Sequence, residues 1–252
     1  MIINGDCIEE MKKLPDKSID LFLCDLPYGE TACKWDTIID MEEFWKEFKR
    51  LRKSKKTPCI HFCSTKFGNS LINSWEKGFK MDMVWKKKNP TGALSARYRP
   101  MRNHEMVYFF YEQSPKYNRD KYHQRIGNKA HGNSTVYNFT EGDNKKRLPN
   151  CFSPATPASV FETKARYGKT LHPTQKPLEI LEFFLKYWSD GGDTVLDPTM
   201  GCGSTGVACK KLGRNFIGIE KDENIFETAK KYIDSVDAGE EIIPTFPVEG
   251  EE

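Results

Sequence analysis

Long apolar runs are missing from this chain. No stretch of its 252 residues approaches the roughly 20 apolar residues that a membrane-spanning helix needs, so no such span is expected. The opening Met1-Ile2-Ile3-Asn4 lacks the pattern of a signal peptide. The eight cysteines are therefore expected as reduced thiols in a cytoplasm, a host's if the source is viral. No internal repeat recurs. Paired metal-finger spacing is also absent: Cys59, His61 and Cys63 alternate along one expected strand, which points them the same way without closing a tetrahedral cage. No second Cys/His pair follows, and no metal is expected. Acids are scarce in the middle of the chain. From Lys86 to Lys169 there are 17 Lys plus Arg against 6 Asp plus Glu, a balance of +11, which leaves −8 for the rest of a chain whose net charge is +3. A basic middle between acidic flanks suits a polyanion; a solvated surface would have the same composition.

What is present is alternation of short apolar runs with helical spacing, on a length that can bury a substantial core. Strands are expected at 2–7, 19–24, 58–63, 79–85, 105–111, 194–197 and 215–220. Helices are expected at 7–14, 41–51, 66–77, 178–188, through 212 after a glycine turn, and at 222–236. Met41, Phe44, Trp45, Phe48 and Leu51 fall on one helical face, which reads as core. Between 86 and 103 the sequence predicts a cationic loop carrying Lys88, Arg97, Arg99 and Arg102. From 113 to 171 regular patterning fails. There Tyr117, Tyr122, Tyr137 and Phe139 interleave with Arg119, Lys121, Arg125, Lys145, Lys146 and Arg147, a mixture suited to phosphates and base faces and too long for an ordinary loop. The expected organisation is a half-domain at 1–112, a basic lobe at 113–171, a second half-domain at 172–238 and an acidic, disordered tail at 239–252.

The strand at 19–24 runs into Asp25-Leu26-Pro27-Tyr28-Gly29. In open α/β sheets ligands bind at the carboxyl ends of strands. The Asp25 carboxylate and the carbonyls of Leu26 and Pro27 could accept both N–H bonds of an exocyclic amine, with the ring of that group against Tyr28. A strand-terminating turn, with Asp25 capping a backbone N–H, accounts for the same residues. Asp6 stands at another strand end, where it could meet a ligand or cap the helix that follows.

Gly201, Gly203 and Gly206 form GxGxxG between a strand and a helix, with Glu220 ending the next strand. Read literally, that is a nicotinamide or flavin site. However, Asp197-Pro198 sets a carboxylate where a pyrophosphate would be repelled. S-adenosylmethionine, with a sulfonium, an amino group and a ribose, fits this combination better.

Three motifs in order, Asp25-Leu26-Pro27-Tyr28, His172-Pro173-Thr174-x-Lys176-Pro177 and Asp197-Pro198-x-x-Gly201-x-Gly203, resemble those of the amino-methylating DNA methyltransferases of the β arrangement, over 4–111 and 172–236. The resemblance implies a doubly wound, mostly parallel α/β sheet of the class I S-adenosylmethionine-dependent kind, with permuted motif order and an inserted basic recognition lobe. It implies that Asp25, Leu26, Pro27 and Tyr28 hold a flipped base in double-stranded DNA. The implied cofactor set is Asp6, Cys7, His172, Thr174, Lys176, Asp197, Pro198, Gly201, Gly203 and Glu220, with Glu220 on the ribose and His172, Thr174 and Lys176 towards the methionine end. Lys88, Arg97, Arg99, Arg102, Arg119, Lys121 and Arg125 are the implied DNA contacts, and a homodimer is implied by analogy. The aspartate-first motif implies adenine N6, with cytosine N4 as the alternative. Readings outside the family are an oxidoreductase and a non-catalytic DNA-binding protein on the same fold. The chain departs from the family at Leu26, where proline is usual, and at Thr199, where phenylalanine is usual.

Overall fold

A computed structural model describes residues 1–30, 37–125, 152–153, 156–163, 175–239 and 241. In chain order the elements are β1 (Ile2–Asn4), α1 (Cys7–Lys13), β2 (Leu21–Cys24), α2 (Met41–Leu51), β3 (Cys59–Cys63), α3 (Thr65–Ser74), β4 (Phe79–Thr91) and β5 (Arg102–Phe110). There follow α4 (Arg119–Tyr122), β6 (Gln124–Arg125), β7 (Phe152–Ser153), β8 (Val160–Glu162), α5 (Leu178–Trp188), β9 (Thr194–Asp197), α6 (Ser204–Lys211), β10 (Asn215–Glu220) and α7 (Glu223–Asp234). Contacts divide the chain into a large unit, Met1–Tyr117 with Ala158–Glu241, and a small one that includes Asn118–Pro157. The small unit contains α4 and the antiparallel pair β6–β7.

The large unit is an eight-stranded sheet in the order β1-β10-β9-β2-β3-β5-β4-β8. Only β5 opposes its neighbours, so seven strands point one way. The central strands β2 and β3 are buried at every residue, as expected where helices cover both faces of a parallel sheet. On one face, α2 buries Phe44, Trp45, Phe48 and Leu51 against Phe22, Cys59 and Phe110, each large side chain contributing about 1.5–3 kcal/mol. The helices start where side chains cap them: Asp6 for α1, Asp40 for α2, Ser64 for α3 and Asp222 for α7.

The chain leaves β2 towards β3 on one side and returns to β9 on the other, so β2 and β9 are neighbours whose connections run in opposite directions. Such a reversal leaves a crevice beyond the carboxyl ends of the strands. This topology brings residue 25 to residue 197.

Two regions differ from the sequence expectation. The loop expected at 86–103 is instead a strand extension: β4 continues to Thr91 and β5 begins at Arg102, with an irregularity in register between Lys86 and Thr91. Apolar alternation stops at Trp85, but Lys87 continues the inward face by pairing with Glu105 of β5, and an ion pair leaves no hydrophobic signature. Within the stretch expected to be a separate lobe, β8 adds a parallel strand beside β4, and Trp85 Nε1 donates to Thr163 Oγ1 at 3.2 Å. Of the acidic tail, only Gly239 and Glu241 belong to the described residues. Gly239 N donates to Lys210 O at 3.1 Å, and Glu241 pairs with Arg214 at 2.8 Å.

The third glycine of GxGxxG is a packing residue. A Cβ on Gly206 would lie 2.6 Å from Ile233 Cδ1 of α7 and 2.7 Å from Phe216 Cε1 of β10. Gly206→Ala is therefore expected to destabilise the fold by about 1–3 kcal/mol, read as a lower denaturant midpoint. An unchanged midpoint would show that α6 can withdraw at no cost.

Candidate active site

Four strand ends converge on one open cleft of about 950 Å³: those of β1, β2, β9 and β10, bringing Asp6, Asp25, Asp197 and Glu220 to its lining. The two loops that matter most touch directly. Thr199 Oγ1 donates to the Asp25 carbonyl at 3.0 Å, across 174 residues of sequence. Phenylalanine, usual at this position in the family the sequence resembles, could not make that bond. At the other departure, Leu26 is buried in the core cluster, so its side chain anchors the loop by packing.

Asp25 holds two partners. Tyr28 Oη donates to Oδ1 at 2.9 Å, and Lys176 Nζ donates to Oδ2 at 2.5 Å. Burial, and next the Asp25 carboxylate, push the Tyr28 phenol well above its ordinary pKa, so it stays a donor. One Tyr28 face stacks on Phe67, with ring centres 5.1 Å apart and planes 23° apart. Lys176 reaches Asp25 in the same cleft, and it is shared with Glu105, whose Oε2 lies 3.6 Å away. Burial pushes the Glu105 carboxyl up, but Lys176 and Lys87 outweigh burial and hold it below its usual range. Phe62 and Trp85 flank the Lys176 ammonium at 5.1 and 6.0 Å from their ring centres.

The other half of the cleft is built by the glycine turn. Gly201 and Gly203 have φ of +52° and +83°, which favours glycine, and nothing lies within 4 Å of where a Gly201 Cβ would be. Glu220 fixes this turn: its Oε2 accepts from Gly201 N at 3.1 Å and its Oε1 from Asp222 N at 2.8 Å. Each oxygen keeps a second lone pair, which a hydroxyl could use. Burial raises the Glu220 pKa. Asp197 is buried and accepts from Thr205 Oγ1 at 2.7 Å and Thr199 N at 3.2 Å. Burial nonetheless pushes its carboxyl up to about 7. Pro198 and Cys7 line the same cleft. Asp6 does so too, while its Oδ1 caps α1 through Ile8 N at 3.1 Å and its Oδ2 meets Lys221 at 3.2 Å.

Glu105, Lys87, Phe62, Trp85 and Thr199 were not in the sequence-derived set. A lone acid opening the apolar run 105–111 was the only signal for Glu105, and nothing in the spacing announced its lysines. His172 and Thr174 lie outside the described residues, as do Tyr137, Phe139, Lys145, Lys146 and Arg147. Lys88, Arg97 and Arg99 are exposed on or near the tip of the β4–β5 hairpin. Arg102, also exposed, donates to His104 O at 3.2 Å. Arg119 and Lys121 lie on α4 of the small unit, where Arg119 pairs with Asp120, and the backbone of Arg125 is in β6.

The cysteine pattern also rearranges. Cross-strand pairing sets Cys24 of β2 beside Cys59 and His61 of β3, with donor-type atoms within 4.8 Å of one another, and Cys63 is not part of the group. Cys59 Sγ and His61 Nε2 are 3.1 Å apart, and all three residues are fully enclosed, with Phe44, Trp45 and Phe110 against the imidazole.

Comparison with known proteins gives a consistent result. The profile of the N6/N4 methyltransferase family, described as DNA methylase, matches residues 19–231. The chain is 28% identical to the Type II methyltransferase M.HinfI of Haemophilus influenzae, over 91% of this chain and 67% of that one. It is 26% identical to the Type II methyltransferase M2.DpnII of Streptococcus pneumoniae, over 93% and 90%. Among solved structures, the M1.HpyAVI–SAM complex superposes with a TM-score of 0.61 at 26% identity, covering 92% of this chain and 98% of the other. The cytosine-N4-specific PvuII DNA methyltransferase shares the fold, with a TM-score of 0.67 at 14% identity over 94% and 86%.

Proposed function

The chain belongs to the N6/N4 DNA methylase family, and from that premise we propose that it transfers a methyl group from S-adenosylmethionine to the N6 amino group of an adenine flipped out of double-stranded DNA. The observation that carries this reading is the Thr199–Asp25 contact, which joins the strand-end acceptor loop to the glycine turn in one cleft. The nicotinamide and flavin reading is set aside by the family match and by the buried Asp197.

The donor set fits the proposed cofactor. A buried carboxylate with a raised pKa favours a cationic partner, Glu220 offers acceptors for hydroxyls, and the space over Gly201 allows close backbone approach. When bound, S-adenosylmethionine supplies an electrophilic methyl on a sulfonium. The work of the chain is on the other reactant. An aromatic amine is a poor nucleophile because its lone pair is delocalised into the ring. Asp25 and the Leu26 carbonyl, accepting its two N–H bonds, favour a pyramidal nitrogen whose lone pair can attack in line. The extruded base stacks on Tyr28, whose ring is steadied by Phe67. That stack is worth about 1–3 kcal/mol against an extrusion cost of a few kcal/mol. No covalent enzyme intermediate is needed.

Arg97 and Arg99 of the hairpin tip, with Arg119, Lys121 and Arg125 of the small unit, are proposed to hold phosphates. The resemblance also carries homodimerisation and a cytoplasmic setting into the proposal. Asp25 favours adenine over cytosine N4. Expression in a host free of DNA methylation, followed by sequencing of modified bases, is expected to reveal N6-methyladenine at a fixed short sequence. N4-methylcytosine instead would move the assignment within the family, and unmodified DNA would remove the activity.

A further inference from the structure

One buried carboxylate oxygen without a hydrogen bond lies a short movement away from the lysine on Asp25. Glu105 Oε2 is buried and unbonded, whereas Oε1 accepts from Lys87 Nζ. Lys176 Nζ is 2.5 Å from Asp25 Oδ2 and 3.6 Å from that Glu105 oxygen, with its side chain 12% exposed. Phe62 and Trp85 are within cation–π range of the same ammonium.

With Tyr28 on Oδ1 and Lys176 on Oδ2, each carboxylate oxygen of Asp25 already has a donor. A neutral amine is a weak competitor for the second position, because the ammonium adds ion-pair attraction to its hydrogen bond with the same carboxylate in a poorly solvated cleft. Each oxygen keeps a second lone pair, but an ammonium that trades one carboxylate for another frees Oδ2 for the amine with little loss of ion pairing. Resting on the reading of Asp25 as the acceptor of the base amine, we propose that Lys176 is a two-position counter-ion. It covers Asp25 before a base enters and moves onto Glu105 Oε2 when the amine arrives, which makes Glu105 the positioning residue that clears Asp25.

The geometry suits such a transfer. Closing 3.6 Å to a charge-assisted bond of about 2.8 Å takes roughly 0.8 Å of Nζ movement, which leaves Nζ within about 3.3 Å of Asp25 Oδ2; releasing Asp25 takes a further movement of similar size, within reach of torsional adjustments of the lysine side chain. The ammonium stays beside the same aromatic rings. Glu105 Oε2, which faces the ammonium at 3.6 Å without a hydrogen bond, gains a full one. Lys87 fixes the other oxygen and so holds the receiving carboxylate in place. Proximity to the rest of the cleft is built in, since Lys87, Glu105, Lys176 and Asp25 all line it.

The test is a double-mutant cycle of Glu105→Gln and Lys176→Met, read as kcat and KM for DNA, cofactor affinity and thermal midpoint. Glu105→Gln is isosteric and removes the carboxylate charge that competes with Asp25 for Lys176. Its kcat/KM for DNA is expected to fall about tenfold or more, with cofactor affinity unchanged. In the Lys176→Met background the same substitution is expected to cost less than about twofold. An equal loss in both backgrounds, or one that follows the thermal midpoint, would mark Glu105 as merely structural and overturn the inference. A crystal structure of the wild type with an extruded base gives an independent reading: Lys176 on Glu105 supports the exchange, and Lys176 still on Asp25 ends it. If the wild type methylates no DNA, the functional reading falls and takes this one with it, whereas an active wild type with an additive cycle removes this one alone.

Discussion

Replacing Asp25 with alanine is expected to lower methyl transfer to unmethylated DNA about a thousandfold or more, while cofactor affinity changes by less than about threefold. In the proposed reaction the side chain does two things that a methyl group cannot: it would accept the amine N–H, and it orients Tyr28 and Lys176 through bonds of 2.9 and 2.5 Å. Losing it leaves a buried phenol and an ammonium facing the place where the amine nitrogen must present its lone pair. Cofactor binding survives because the glycine turn is held by Glu220 and Thr205 bonds that do not involve the Asp25 side chain. The assay is incorporation of labelled methyl into DNA beside calorimetric titration of S-adenosylmethionine. Equal incorporation by mutant and wild type would take Asp25 out of the mechanism and restore a non-catalytic role for the acceptor loop.

Asp197→Asn is expected to change how stability depends on pH. Burial pushes the Asp197 carboxyl up to about 7 from an ordinary value of 3.8, with the Thr205 and Thr199 bonds opposing. Between those pH values the folded chain keeps a proton that the unfolded chain has released. Stability therefore falls as pH rises through this window and reaches its full loss above about 7, on the order of 4 kcal/mol for an enclosed group. The asparagine variant lacks this loss, so without cofactor it should match the wild type near pH 4 and exceed it in thermal midpoint near pH 8. Its affinity for the cationic cofactor should fall, because the buried negative charge is gone. A thermal midpoint for each protein at several pH values, with and without S-adenosylmethionine, decides the matter. Parallel pH profiles for the two proteins would mean that Asp197 is ionised without penalty.

The helices and most strands were legible because their physics is local. Apolar residues at helical spacing in α2, short apolar runs in β2, β3 and β9, and capping acids before α1 and α7 report the same structure at every scale. The outer part of the β4–β5 hairpin, within the loop expected at 86–103, is not legible as strand because its inward face is continued by the Lys87–Glu105 pair, and charge is ordinarily a surface signal. Asp6 shows both of its expected possibilities at once, capping α1 while lining the cleft. The alternation of Cys59, His61 and Cys63 suggested one grouping, and strand pairing produced another with Cys24.

The chemical vocabulary is written in one dimension: an acceptor loop after one strand, a glycine turn after another, an acid ending the next, and a basic middle. Those features survive in one dimension because each depends on neighbours a few residues away. Which parts meet depends on strand order and packing. The reversal of direction between β2 and β9 put Thr199 on the Asp25 carbonyl and Lys176 between Asp25 and Glu105, contacts spanning 174, 151 and 71 residues of chain. No local pattern records such pairings, since they arise from strand order and from the low-dielectric interior that makes a buried carboxylate depend on whichever cation the fold delivers.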